Sequence, residues 1–177
     1  DSSIEWNGSD QKITIADSAD WNFGTGDFTI ELWMKIPRPN QTFTGSLVFF
    51  DHLFSTTMGW KLDLEPYNEG DYYRRYLHFR SYSGTDLQTT MLPANDVWRH
   101  VAVVREGTGT DETKIYIDGV ENVSTTCAED FSVSAILDIG GLNSGVDWLI
   151  GYTTELRISN TARYTADFMP QLTRFVS

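Results

Sequence analysis

The chain has one cysteine, Cys127, in 177 residues. A lone thiol excludes an intrachain disulfide framework and a cysteine-built zinc site. Basic residues are also few: 13 Lys and Arg stand against 25 Asp and Glu, a formal net charge of -12. Binding to nucleic acid needs clustered Lys and Arg facing phosphates, so this balance argues against it. No apolar run reaches the roughly 18 residues of a membrane-spanning helix, and membrane insertion is not expected. The opening stretch DSSIEWNGSD lacks both the basic start and the apolar middle of a signal peptide. A chain that opens at Asp1 rather than Met fits a processed product or a segment of something longer, and the sequence does not choose between them.

What is present is a large apolar and aromatic fraction, 40% and 14%, enough for one sizeable core without staples. Neither a linker nor an internal repeat divides the chain, so residues 1–177 are expected to form one domain. Helical spacing of apolar residues is scarce, whereas short alternating runs bounded by Gly, Asn, Asp and Pro recur, as in antiparallel strands with one buried face. The clearest runs are Lys12 to Ile15, Asp27 to Ile36, Ser46 to Phe50, Gly59 to Glu65, Tyr76 to Tyr82, Trp98 to Arg105, Lys114 to Ile117, Ala135 to Ile139 and Thr154 to Ser159. Asp118-Gly119 reads as a tight hairpin turn. The pattern predicts an all-β fold, a two-sheet antiparallel jelly-roll sandwich.

Residues two apart on a strand share a face. In Asp27 to Lys35 this sets Phe28, Ile30, Leu32 and Met34 apart from Thr29, Glu31, Trp33 and Lys35. Leu62 and Leu64 oppose Lys61, Asp63 and Glu65, and Leu77 and Phe79 oppose His78, Arg80 and Tyr82. Ile115 and Ile117 oppose Lys114, Tyr116 and Asp118. Gathered on one sheet, the polar sets would mix Trp33, Tyr82 and Tyr116 with Asp63, His78 and Arg80. Aromatic faces stack on sugar C–H groups and charged side chains meet hydroxyls, which makes these six the candidate carbohydrate-binding residues. The plainer alternative is a solvated sheet face with ordinary cross-strand pairs.

Four segments in order, FGTGDFTIELWMK, WRHVAVVREG, KIYIDGV and IGYTTELRISNTARYTADF, resemble the concanavalin A-like lectin/glucanase superfamily, in particular its laminin G-like modules. The resemblance implies a jelly roll whose last strand, Thr154 to Ser159, pairs beside the first, with the tail ARYTADF folded back over the sandwich. It also implies a possible calcium ion held by an early loop and the last strand, with Asp17, Asp20, Asp27 and Glu155 as the matching acids. Hard oxygen donors suit calcium, but Thr154 stands where modules of this kind often carry a further acid. Side-chain caps on turns are the alternative use of these carboxylates. The wording around Arg157 to Tyr164 is similar to that of modules in phage structural proteins and bacterial surface proteins.

Some members of that superfamily cleave glucans with carboxylates from one strand, and Asp63 and Glu65 are the residues to test as such a pair. Here Lys61-Leu62-Asp63-Leu64-Glu65 has a lysine where the hydrolases' motif begins with a carboxylate. Three histidines, His52, His78 and His100, have no Ser or Cys elbow nearby, and GTGTDE opens no helix that would cradle phosphate. Three sequons, at Asn7, Asn40 and Asn122, fit surface glycosylation but also arise by chance in a chain rich in Ser and Thr. The leading expectation is therefore a non-catalytic module for glycan recognition or adhesion, outside the cell or on a surface. The alternatives are a subunit of a virion or extracellular filament, held in an oligomer or larger assembly by protein contacts, and a glycoside hydrolase.

Overall fold

Period-two alternation, β-branched and aromatic residues in each run, and Gly or Asp at the turns build thirteen strands among the residues described by the computed structural model. Those residues are 2–37, 45–55, 58–66, 74–81, 84–90, 92–93, 96–142 and 147–172. They include no α-helix, only a three-residue turn of 3-10 helix at Ala19–Trp21.

One sheet has the order β1 (Ile4–Asn7), β13 (Ile150–Ser159), β3 (Phe28–Lys35), β9 (Trp98–Arg105), β10 (Thr113–Ile117), β11 (Val120–Thr125). The second has β2 (Ile13–Ile15), β12 (Leu137–Ile139), β4 (Leu47–Ser55), β5 (Met58–Pro66), β6 (Arg74–Ser81) and β7 (Asp86–Gln88), with the short β8 (Leu92–Pro93) also on β6. All pairings are antiparallel. This is the two-sheet jelly-roll sandwich that the alternation predicts. The last strand does pair with β1, though through residues 150–153, upstream of the Thr154 to Ser159 run.

The core lies between the sheets and is made by the apolar sets. Phe28, Ile30, Leu32, Met34, Val101, Val103, Ile115 and Ile117 face Trp60, Leu62, Leu64, Leu77 and Phe79 across it. Aromatic rings lock the centre: Phe23 stacks on Phe28 at 4.5 Å, and Phe79 meets Phe28 at 5.5 Å and Phe131 at 6.0 Å. Arg105 breaks the apolar rule, since its register with Phe28 turns it inward. Its fully buried guanidinium lies over the Phe28 and Phe131 rings and donates to the carbonyls of Gly24, Gly26 and Glu129. Every polar N–H so engaged offsets part of the cost of burying the charge, and the loop before β3 is thereby tied to the segment before β12.

β10 and β11 are joined by Asp118 and Gly119, both at positive φ (52° and 82°), the geometry of a two-residue type I′ hairpin. This turn is also an anchor. After β13 the chain reverses across the outer face of the first sheet, and Phe168 N donates to Gly119 O at 2.8 Å. A Cβ on Gly119 would run into Phe168 O and Pro170, so the position needs glycine for its backbone angle and for the close approach alike. Gly119→Ala is expected to lower stability by about 1–3 kcal/mol. In urea unfolding the midpoint would fall with little change in slope; an unchanged midpoint would show that the tail does not rest on this turn.

Candidate functional site

Polar side chains lie on two outer faces, one per sheet. On the first sheet they are covered by the chain itself. Residues 160–172 form a strap over Thr29, Glu31 and Trp33 of β3, His100, Ala102 and Val104 of β9, and Tyr116 of β10. Thr29 Oγ1 donates to Thr161 O at 2.8 Å and accepts from Arg163 N at 3.0 Å. Tyr164 and Phe168 stack on each other at 3.5 Å, and Phe168 meets His100 and Tyr116 edge-on. Trp33 Nε1 donates to Gln171 O at 3.1 Å.

Glu31 sits beneath the strap with no solvent exposure. Its carboxylate accepts from Arg157 Nε at 2.7 Å and from Tyr164 OH at 2.9 Å, and lies 3.2 Å from His100 Nε2. Burial pushes its pKa up, but the hydrogen bonds from His100, Arg157 and Tyr164 outweigh that and hold it below the ordinary carboxylate value. The Tyr164 phenol moves the other way. Burial and the neighbouring Glu31 charge raise it to about 12.

On the second sheet, cross-strand register lines up Thr14, Asp138, Asp51, Lys61, Arg80 and Asp86, one residue from each of six neighbouring strands. A second line, one pleat away, holds Asp63, His78 and Gln88, and a third pairs Glu65 with Tyr76. Arg80 Nη2 bridges Asp63 and Glu65, Lys61 lies 3.2 Å from Asp63, and His78 Nδ1 is 2.8 Å from Asp86. Lys12 and Thr14 both donate to Asp138. Asp63 is fully buried, and burial raises its pKa despite the Lys61 and Arg80 charges. Glu65 is a third exposed; burial raises it, but Arg80, His78 and Lys61 together bring it below its ordinary value. Asp86 is half exposed and Arg80 about a quarter, so the face meets solvent with both acceptors and donors.

The six residues expected to share one carbohydrate surface do not share one. Asp63, His78 and Arg80 come together on the second sheet, while Trp33 and Tyr116 lie on the first, with Tyr116 fully buried against the strap. Tyr82 lies outside the described residues. Period alone assigns a residue to a face of its own strand, and strand order then sends β3 and β10 to one sheet and β5 and β6 to the other. Tyr76, edge-on to His78 at 6.3 Å, was missed although its spacing places it with His78 and Arg80. Asp51 and Asp138 gave no such signal, since each is a single acid within an apolar run.

The acids proposed for calcium are not gathered either. Asp17 accepts from Ser134 Oγ and Ala135 N, Asp20 from Ser18 at the 3-10 turn, and Asp27 is exposed ahead of β3. Glu155 sits on a β-bulge at φ 50°. Among the described residues no three His, Cys, Asp or Glu side chains converge to hold a metal ion.

A family model described as the concanavalin A-like lectin/glucanases superfamily, laminin G type, matches residues 7–167. The chain belongs to that superfamily. No curated protein sequence matches it. Among solved structures, the superfamily fold recurs in the heptameric SAP-like pentraxin of Limulus polyphemus, at 11% identity and TM-score 0.67, covering 92% of this chain and 77% of that one. It recurs in the binding domain of Paraclostridial Mosquitocidal Protein 1 at 17% identity and TM-score 0.70, where 92% of this chain covers 41% of the other. Domain 4 of AbnA, an extracellular arabinanase from Geobacillus stearothermophilus solved with arabinotriose, is 24% identical with TM-score 0.60, over 90% and 71% of the two chains. These likenesses establish the fold.

The Glu31 cluster gives the strap a pH window. A depressed carboxyl stabilises the fold above its ordinary pKa of 4.5, and this is lost as pH falls through the lower native value. A raised phenol stabilises below its ordinary 10.0, and this is lost as pH rises through about 12. Glu31→Gln leaves Arg157 facing a neutral partner and is expected to cost on the order of 3 kcal/mol at pH 7, with a shallower acid limb. Tyr164→Phe should make the alkaline limb shallower, leaving the smaller part that the raised Tyr116 phenol contributes. Urea midpoints measured from pH 3 to 11 check both, and profiles identical to wild type would contradict the assignment.

Proposed function

We propose that this chain is a non-catalytic recognition module that binds glycan outside the cell through the outer face of its second sheet. The observation that carries the reading is the line Thr14, Asp138, Asp51, Lys61, Arg80, Asp86 across six strands. Along it the buried Asp51 and Asp138 lie behind Lys61, Arg80 and Asp86, whose solvent-reaching ammonium, guanidinium and carboxylate are the groups a polyhydroxyl ligand can meet, and Tyr76 adds an aromatic face. The arabinotriose complex of AbnA domain 4 supports the reading as a precedent on the same fold, with the site still to be argued from this chain's own residues.

Asp63 and Glu65 have pKa values pushed in opposite directions, a pattern that acid–base pairs share. Access argues against catalysis. Asp63 has no solvent exposure and both carboxylates are held by one Arg80 nitrogen, whereas a general acid has to reach the glycosidic oxygen. The cluster fits a rigid binding floor.

A glycan array followed by calorimetry tests the proposal. Binding is expected, and the double substitution Asp86→Ala with Gln88→Ala, at the exposed end of the face, should weaken it at least tenfold, about 1.4 kcal/mol. A folded protein that binds no glycan contradicts the function. Binding that survives the double substitution contradicts the placement on this face.

A further inference from the structure

The outer face of the first sheet has a second set of side chains beyond the end of the strap. Glu5, Tyr152, Lys35 and Trp98 are register partners across β1, β13, β3 and β9, and all point outward because Met34 and Trp6 beside them point into the core. Trp98 is 36% exposed although tryptophan usually loses most of its surface on folding. Tyr152 is half-buried, with its hydroxyl fixed by Glu5 at 3.0 Å. The Lys35 ammonium lies between the rings, 4.5 Å from Tyr152 and 5.9 Å from Trp98, and 3.6 Å from Asp96. Cation–π contacts and the ion pair hold both rings in place, so little side-chain freedom remains to be lost on binding.

We infer that this row is a second binding site, for a neutral, linear oligosaccharide lying across the strands. Two aromatic side chains on either side of β3 are about 10 Å apart, the reach of a disaccharide repeat, so alternate sugars of one chain can each meet a ring. Glu5 and Asp96 at the two ends accept hydroxyl protons. The ligand is neutral for two reasons. Lys35 is already engaged by two rings and a carboxylate, and a net charge of -12 repels anionic glycans. Trp33, two residues before Lys35 and tied to Gln171, borders the row where the strap ends. The ligand class rests on the glycan-binding reading above; the surface does not.

The test is calorimetric titration of the whole chain with cellohexaose, xylohexaose and linear arabinohexaose, beside the glycan array. At least one hexaose should bind, tenfold or more weakly in Trp98→Ala and in Tyr152→Ala, with Trp98→Phe retaining binding and 0.5 M salt having little effect. Hexaose binding that survives both alanine variants, or is lost only in the Asp86 and Gln88 variant, overturns the site while leaving glycan recognition standing. No hexaose binding also overturns it, and a blank array alongside would remove the recognition reading as well.

Discussion

Glu31 is an ionised carboxylate with no solvent exposure in the middle of a sheet, and its desolvation, several kcal/mol if unpaired, has to be met by partners. They come from three separate places: His100 on β9, Arg157 on β13 and Tyr164 on the strap. The buried charge therefore joins a neighbouring strand on either side of β3 to the tail that crosses above them. A tail held this way behaves as a third layer over the first sheet. The Tyr164 and Phe168 stack, with Ala102, Val104 and Tyr116 below it, gives that layer a small core of its own.

The strap divides the molecule's surfaces by use. Most of the polar face of the first sheet is consumed in holding it, and Trp33, Thr29 and Tyr116 serve packing there. The two proposed recognition surfaces lie elsewhere, on the second sheet, where cross-strand register builds a charged floor, and on the aromatic row at the strap's end. The same bulge that interrupts β13 between Thr154 and Arg157 lets Tyr152 and Arg157 serve different ends of one strand, the first on the aromatic row and the second on Glu31.

Strand existence and facing were largely legible in the residues. Phe28 to Lys35 and Thr113 to Ile117 alternate as amphipathic strands do, and Asp118-Gly119 marks its own turn. β11, Val120–Thr125, was not predicted because an edge strand with mostly polar, part-exposed residues has no apolar period to reveal it. β1 and β7, at four and three residues, are too short for their alternation to stand out. Site residues were less legible for a different reason. Alternation tells which side of a strand a residue occupies, whereas grouping Asp63, His78 and Arg80 away from Trp33 and Tyr116 requires strand order, which is set by long-range pairing. Glu31 read as one more outward polar residue, since its partners lie up to 133 positions away.

The central claim is that the strap is an integral layer of the fold, and native-state hydrogen exchange at residue resolution tests it most directly. Arg163 N, bonded to Thr29 Oγ1, and Phe168 N, bonded to Gly119 O, should exchange with protection comparable to the amides of β3 and β9, opening only with the sheet. Exchange of those two amides at the rate of an unstructured chain, while β3 and β9 stay protected, would contradict the account.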